Sequence, residues 1–320
     1  MSDRLAPEVV TVTLNPAIDL TVAVDRLVVG AVQRASAAVS NCGGKGVNVA
    51  GCLADWGVRV AITGVLGDAN ERAFDDFFAD KGIVDLAVRA PGATRTNIKI
   101  ADRASGETTD INLPGLKVSN DAFEAVRATL KGLIVPGRPV ALSGSLPESL
   151  PDGAWATLAG DLATLGARVV LDTSGEPLAA ALRSGHPIHA LKPNRAELEA
   201  LLGRGLPTMA DLIAAAQSIV NRGVACVVVS LGADGALFVD RETALVAALP
   251  AKTVLSTVGA GDAMVAGICA ALVEAAPLER VARLAVAFAA SKLDRIGPHL
   301  GRTENVERLA AAVRVTASPL

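Results

Sequence analysis

The segment Ser256-Thr257-Val258-Gly259-Ala260-Gly261-Asp262-Ala263-Met264 sets two glycines directly before an acid and a long apolar run. Glycine at 259 and 261 opens backbone conformations closed to residues with a Cβ and leaves bare amides within reach of a ligand. A helix starting here aims unpaired N–H groups, and the positive end of its dipole, at whatever lies in front. Such an end is an anion cradle, and phosphate is its usual occupant. Asp262 in the first turn sets a carboxylate beside the cradle. An anion hole next to a base is what phosphoryl transfer to a hydroxyl requires. A capping Asp on an ordinary glycine-rich turn accounts for the same residues, so the segment alone leaves both readings open. It is not a Walker A loop, because no Gly-Lys-Ser/Thr follows, and the Gly-x-Gly-x-x-Gly dinucleotide spacing is absent.

Six further segments carry polar chemistry. Pro16 fixes a turn in Asn15-Pro16-Ala17-Ile18-Asp19, and Asp19 either accepts bonds from sugar hydroxyls or simply forms the turn. In Asn41-Cys42-Gly43-Gly44-Lys45-Gly46-Val47-Asn48, glycines again precede a helix, and Lys45 and Asn48 lie three apart on its first turn. Arg95, Asn97 and Lys99 share one face of an extended segment. An arginine fork suits a phosphate already on a substrate. Lys99 sits ~13 Å further along the strand, so Arg95 is the favoured anchor. Ser143-Gly144-Ser145 ends a buried run with hydroxyls and a free glycine amide. Lys192-Pro193-Asn194-x-x-Glu197 ends another, with Pro193 placed to open a helix and Asn194 and Glu197 on one face. Glu197 there could hold hydrated Mg²⁺ or serve only the helix dipole. Ser230-Leu231-Gly232-Ala233-Asp234-Gly235 makes a tight turn suited to nucleotide phosphates.

The elements that must position these residues follow from the hydrophobic pattern. Strands are expected at 9–14, 59–63, 140–143, 168–172, 189–192 and 225–230. Helices are expected at 47–56, 71–81, 121–133, 153–165, 195–202 and 209–222, with Asp121 and Glu124 as a capping pair for the third. This alternation implies an α/β fold with a mostly parallel sheet covered on both faces, in which ligands bind at the carboxyl ends of the strands. Every segment singled out begins where such a strand stops. The segments around 20–40 and 93–113 break the alternation and read as a small β lid on one domain spanning 1–320. The lid also offers an edge for pairing in a homodimer.

Composition narrows the partners. The chain has 320 residues, 51% of them apolar, and a net charge of −3. No global field draws it to nucleic acid or anionic lipid. Aromatics are 2% with no tyrosine, which removes the stacking platforms that single-stranded nucleic acids use. The four cysteines form no C-x-x-C pair, and the three histidines no zinc-ligand cluster; His186 and His189 read as surface residues. With no signal-peptide pattern and no spanning apolar run, a cytoplasmic location is expected.

With its segments in order, the chain resembles the ribokinase-like (phosphofructokinase B) family of carbohydrate kinases, from Thr11 to about Ser291. The Gly-Gly-Lys-Gly and Thr-Val-Gly-Ala-Gly-Asp segments are the two family signatures. Asn15-Pro16-Ala17, residues 94–99, 109–115 and 143–147 are most similar to the branch acting on fructose 1-phosphate. The resemblance implies a three-layer sandwich and ATP-dependent phosphorylation of fructose 1-phosphate at its 6-hydroxyl, with Mg²⁺. Tagatose 6-phosphate or fructose 6-phosphate as acceptor, or a non-catalytic nucleotide or sugar-phosphate sensor, remain alternatives. It implies Asp262 as base, with Gly259, Ala260 and Gly261 forming the anion hole. Asp19, Gly43, Gly44, Lys45, Asn48, Arg95, Lys99 and Ser143 would hold the sugar phosphate. Lys192, Asn194, Glu197, Thr257, Gly259, Gly261 and the turn from Ser230 to Gly235 would serve ATP, with Glu197 reaching Mg²⁺ through water. Small residues near Ala289 to Ser291 would lie at the adenine. The helix dipole should keep Asp262 ionised and therefore weakly basic, which a loose transition state tolerates.

Overall fold

The computed structural model describes residues 6–249, 257–295 and 297–320, so Ser256 lies outside the described residues. In chain order the elements begin with β1 (Val9–Thr13), β2 (Ala17–Val24), β3 (Ala37–Gly43), α1 (Lys45–Trp56), β4 (Val60–Gly67), α2 (Arg72–Lys81), β5 (Val84–Asp85), β6 (Val88–Ala90), β7 (Thr96–Asp102) and β8 (Thr108–Ile111). They continue with α3 (Asn120–Leu133), β9 (Pro139–Ser143), α4 (Ala154–Thr164), β10 (Arg168–Asp172), α5 (Gly175–Arg183), β11 (Ile188–Leu191), α6 (Arg195–Leu202), α7 (Met209–Val220) and β12 (Val224–Ser230). The last are β13 (Ala236–Val239), β14 (Ala244–Ala248), α8 (Ala260–Val273), α9 (Leu278–Lys292), α10 (Thr303–Ala312) and β15 (Arg314–Ser318).

The runs β1, β4 and β9 are buried at every position, as strands covered on both faces must be. They lie in a sheet ordered β15-β14-β13-β12-β11-β10-β9-β1-β4-β5, with β6 also on β4. Pairing is parallel from β12 through β1 to β5. It turns antiparallel from β12 to β15. Alternation along the strands divides the core into two slabs. Val9, Ile62, Ala141 and Val170 pack with α1, α2, α8 and α9, while Val10, Val140 and Val169 pack with α3, α4, α5 and α7. The expected three layers are therefore present. No described helix is long and apolar enough to cross a membrane.

Two helix starts differ from expectation. Ser119, not Asp121, caps α3: its backbone is extended and its hydroxyl accepts from the Ala122 N–H at 3.1 Å. Pro193 stands before the cap of α6, because Asn194 takes that place.

A second sheet, β3-β2-β7-β8, forms the lid. Its register sets Asp19 between Asn41 and Asn97. Since β2 departs just after β1 ends, the lid stands over the carboxyl edge of the main sheet. There β1 lies between β4 and β9, which the chain reaches later on opposite sides of it, the crevice at which open α/β sheets bind ligands.

Candidate active site

Gly259 caps α8 with φ 81°, left-handed backbone that favours glycine. The first intrahelical bond runs from the Ala263 N–H to the Gly259 carbonyl at 2.9 Å. The amides of Gly261 and Asp262 precede it in the first turn, where a helix directs its N–H groups toward a ligand. Asp262, on the same turn, is 7% exposed, and its Oδ2 accepts a hydrogen bond from Asn48 Nδ2 at 2.7 Å. The expectation of a dipole-held, weakly basic carboxylate is corrected here. Burial, then repulsion from Asp172, raises Asp262 above the usual carboxylate range, against Lys45, Asn48 and Lys192. Asp262 is thus a better base than its helix position alone implies.

Asp172 escaped the sequence reading, although an acid closing the buried run Arg168–Asp172 was a usable signal. It is 1% exposed, and its Oδ1 pairs with both Lys45 Nζ and Lys192 Nζ at 3.2 Å. Burial would raise it, but the two ammonium groups hold it below the ordinary value. Lys45, expected to face the sugar, reaches inward to Asp172 and does not line the lid pocket. With both aspartates ionised, two lysines and two carboxylates balance. Asp172 Oδ2 and Ser143 Oγ, neighbours across β9 and β10, are buried without hydrogen-bond partners.

Asp19, Asn48, Lys99 and Gly259 line one pocket under the lid. Asp19 accepts from Asn97 Nδ2 at 3.2 Å. Burial raises its pKa, with Lys99 and Asn97 opposing. A Cβ on Gly43 would stand 2.7 Å from Asp19 Oδ2, and one on Gly44, at φ 100°, 2.8 Å from Pro16 Cα. The double glycine lets α1 begin against the Asn15-Pro16 turn. Arg95 precedes β7, and its guanidinium donates to three carbonyls, those of Pro16 (3.4 Å), Leu113 (3.2 Å) and Asn15 (3.3 Å). It braces the turn that ends at Asp19, while Lys99 reaches the pocket itself.

A second cleft opens on the other side of Gly259. Ser230, Gly232, Ala233, Gly235, Thr257 and Gly261 form its polar wall. Met264, Val286, Ala289 and Ala290 give it an apolar floor, whereas Leu231 and Asp234 do not line it. Ser291 turns away and accepts from the Gly301 N–H at 2.9 Å. Asn194 and Glu197 form a capping box: each side chain accepts from the other's backbone N–H at 2.8 Å. Glu197 Oε2 is committed to the cap, leaving Oε1 for a hydrated cation. Among the described residues, no group of three or more His, Cys, Asp or Glu gathers as a metal nest. The cradle joins the two pockets, so a phosphoryl group bound there would meet both occupants.

The model of the pfkB family of carbohydrate kinases matches residues 10–304. A 1-phosphofructokinase of Xanthomonas campestris pv. campestris is 49% identical over 98% of this chain and 99% of its own length. One from Rhodobacter capsulatus is 46% identical over 97% and 98%. Among solved structures, phosphofructokinase-2 of Escherichia coli in complex with fructose-6-phosphate superposes with a TM-score of 0.87 at 33% identity, covering 95% of this chain and 98% of that one. Ribokinase of Arabidopsis thaliana, complexed with ribose and ATP, gives 0.76 at 26% identity over 95% and 99%.

Proposed function

This chain belongs to the pfkB family of carbohydrate kinases, and we propose that it transfers the γ-phosphoryl group of ATP to the 6-hydroxyl of fructose 1-phosphate, giving fructose 1,6-bisphosphate. The observation that carries the reading is the buried carboxylate of Asp262 on the glycine cradle between two pockets. The near-half identity to relatives named 1-phosphofructokinase selects the acceptor.

The lid pocket takes the sugar. Asp19, oriented by Asn97, and Asn48 accept and donate to its hydroxyls, while Gly43 and Gly44 give close backbone approach; Ser143, expected to join them, is fully buried beside Asp172 and does not reach the pocket. Lys99 supplies positive charge for the sugar's phosphate from the pocket wall, and Arg95, behind the turn that ends at Asp19, adds to the field. The cleft beside Ser230 takes ATP, with Lys192 and Asn194 at the phosphate end and Ala289 and Ala290 against the base. Asp262 accepts the hydroxyl proton; its raised pKa makes the transfer more favourable than an ordinary carboxylate would. The first-turn amides of α8 stabilise charge on the moving phosphoryl group. Mg²⁺, held on the phosphates and through water by Glu197, would neutralise part of that charge.

The chain acts as one kinase unit, with 20–40 and 93–113 as its lid. We further read the lid as the homodimer surface, because Val29 and Val32 are 96% and 92% exposed on its β2–β3 turn and Ile111 on β8 is also exposed. The acceptor is tested by coupled ADP detection with fructose 1-phosphate, fructose 6-phosphate and tagatose 6-phosphate. Fructose 1-phosphate should lead in kcat/KM by about tenfold or more. A lead for either 6-phosphate would reassign the acceptor, and ATP binding without turnover would favour the sensor.

A further inference from the structure

Lys292 is a charge beside the base that the reading above leaves unused. It closes α9, is 3% exposed, and lines the lid pocket with Gly259 and Asn48. Its Nζ donates to the Arg295 carbonyl at 2.9 Å, and it takes part in no ion pair among the described residues. An ammonium has three donors, so the observed bond leaves spare capacity. A Cβ built on Gly259 would sit 3.2 Å from Lys292 Cε, and 3.9 Å from both Lys292 Nζ and Asp262 Oδ2. Ammonium and carboxylate therefore flank the same cradle glycine.

Burying an ammonium away from a carboxylate is costly, and burial does lower the pKa of Lys292, with Cys52 and Asp262 opposing. The other two lysines of the site, part-exposed Lys45 and buried Lys192, share Asp172; Lys292 has no such counterion among the described residues. A side chain needed only to fill the end of α9 would do so more cheaply as Met or Leu. The arrangement makes sense if an anion arrives over Gly259.

Resting on the phosphoryl-transfer reading, we propose that Lys292 is a further catalytic residue whose ammonium donates to the phosphoryl group as it crosses Gly259. In that step the bond from the γ-phosphorus to the ADP oxygen breaks, and its electron pair stays on ADP. The bond from the acceptor oxygen to phosphorus forms, and the hydroxyl proton passes to Asp262. Lys292 keeps its proton throughout and stabilises charge on the oxygens that do not change partners. The amides of α8 approach the group from the helix side, and Lys292 from the α9 side.

The test uses Lys292→Met and Lys292→Ala in the full chain, with steady-state kinetics toward ATP and the best sugar phosphate. Lys292→Met should lower kcat about 10²–10³-fold, the loss expected for one oxyanion-hole donor, while both KM values stay within about threefold. Lys292→Ala, checked by near-UV circular dichroism, should regain activity with added n-propylammonium and not with n-propanol. A Met variant with wild-type kcat overturns the proposal. So does an Ala variant that is folded, slow and unresponsive to the amine, since that outcome marks Lys292 as structural. Wild-type protein that phosphorylates no sugar phosphate would instead sink the kinase reading itself, before either variant is made.

Discussion

Replacing Asp172 by Asn removes one charge from the site and leaves the side-chain shape and one acceptor oxygen in place. In the folded protein two ammonium groups stand 3.2 Å from Asp172 Oδ1. At an effective dielectric of about 20, each attraction is roughly 5 kcal/mol. The two lysines differ in what they can do afterwards. Lys45 has 35% of its side chain exposed and can turn toward water, whereas Lys192, at 5%, cannot. The uncompensated loss therefore falls mainly on Lys192, about 3–5 kcal/mol for one broken buried pair. That is a large share of the ~5–15 kcal/mol by which a domain is stable. The pH dependence has a definite sign. The folded pKa of Asp172 is lowered, so its contribution is complete above the unfolded carboxylate value and lost as pH falls through the depressed folded one. Urea unfolding should show the full wild-type advantage at pH 7, narrowing below about pH 4. Activity should move too. Asp172 raises the pKa of Asp262 by repulsion, so its loss should shift the acid limb of the kcat profile to lower pH. A variant as stable as wild type, or an acid limb that stays put or moves upward, would refute the reasoning.

Two other perturbations probe separate links. Arg95→Ala should raise KM for the sugar phosphate by roughly 10–100-fold, because it removes charged hydrogen bonds that hold the turn ending at Asp19, and leave KM for ATP nearly unchanged. Equal damage to both constants would deny Arg95 a place on the acceptor side. Asp262→Asn should stabilise the fold. A carboxylate whose folded pKa is raised costs stability above its unfolded value, and the cost disappears as pH falls below it. The variant's urea midpoint should thus exceed wild type at pH 7 and converge with it below about pH 4; a lower midpoint at pH 7 contradicts the burial argument.

The layers, the lid and the cradle were legible because each rests on local signals: β-branched runs, helical periodicity, and glycines before a helix. Gly43 and Gly44 are similarly local, since the backbone there leaves no room for a Cβ. What stayed hidden depends on elements distant in sequence. Asp172 matters only because β10 sits between β9 and β11, which brings Lys192 alongside and Lys45 across from α1. Lys292 reaches Gly259 only through the packing of α9 on α8. The basicity of Asp262 departs from the helix-dipole expectation for the same reason: the helix dipole is visible in one segment, whereas burial and Asp172 are not. Asn194 and Glu197 are a different case. Their spacing alone signals a capping box, and that is the bond they make.

The most direct measurement of the central claim is the turnover of Asp262→Asn with ATP and fructose 1-phosphate, alongside calorimetric ATP binding. Asn keeps an acceptor for Asn48 but takes no proton, so kcat should fall about 10²–10⁴-fold while ATP affinity persists. Turnover within a few-fold of wild type, with the nucleotide bound normally, would show that the hydroxyl proton leaves by another route.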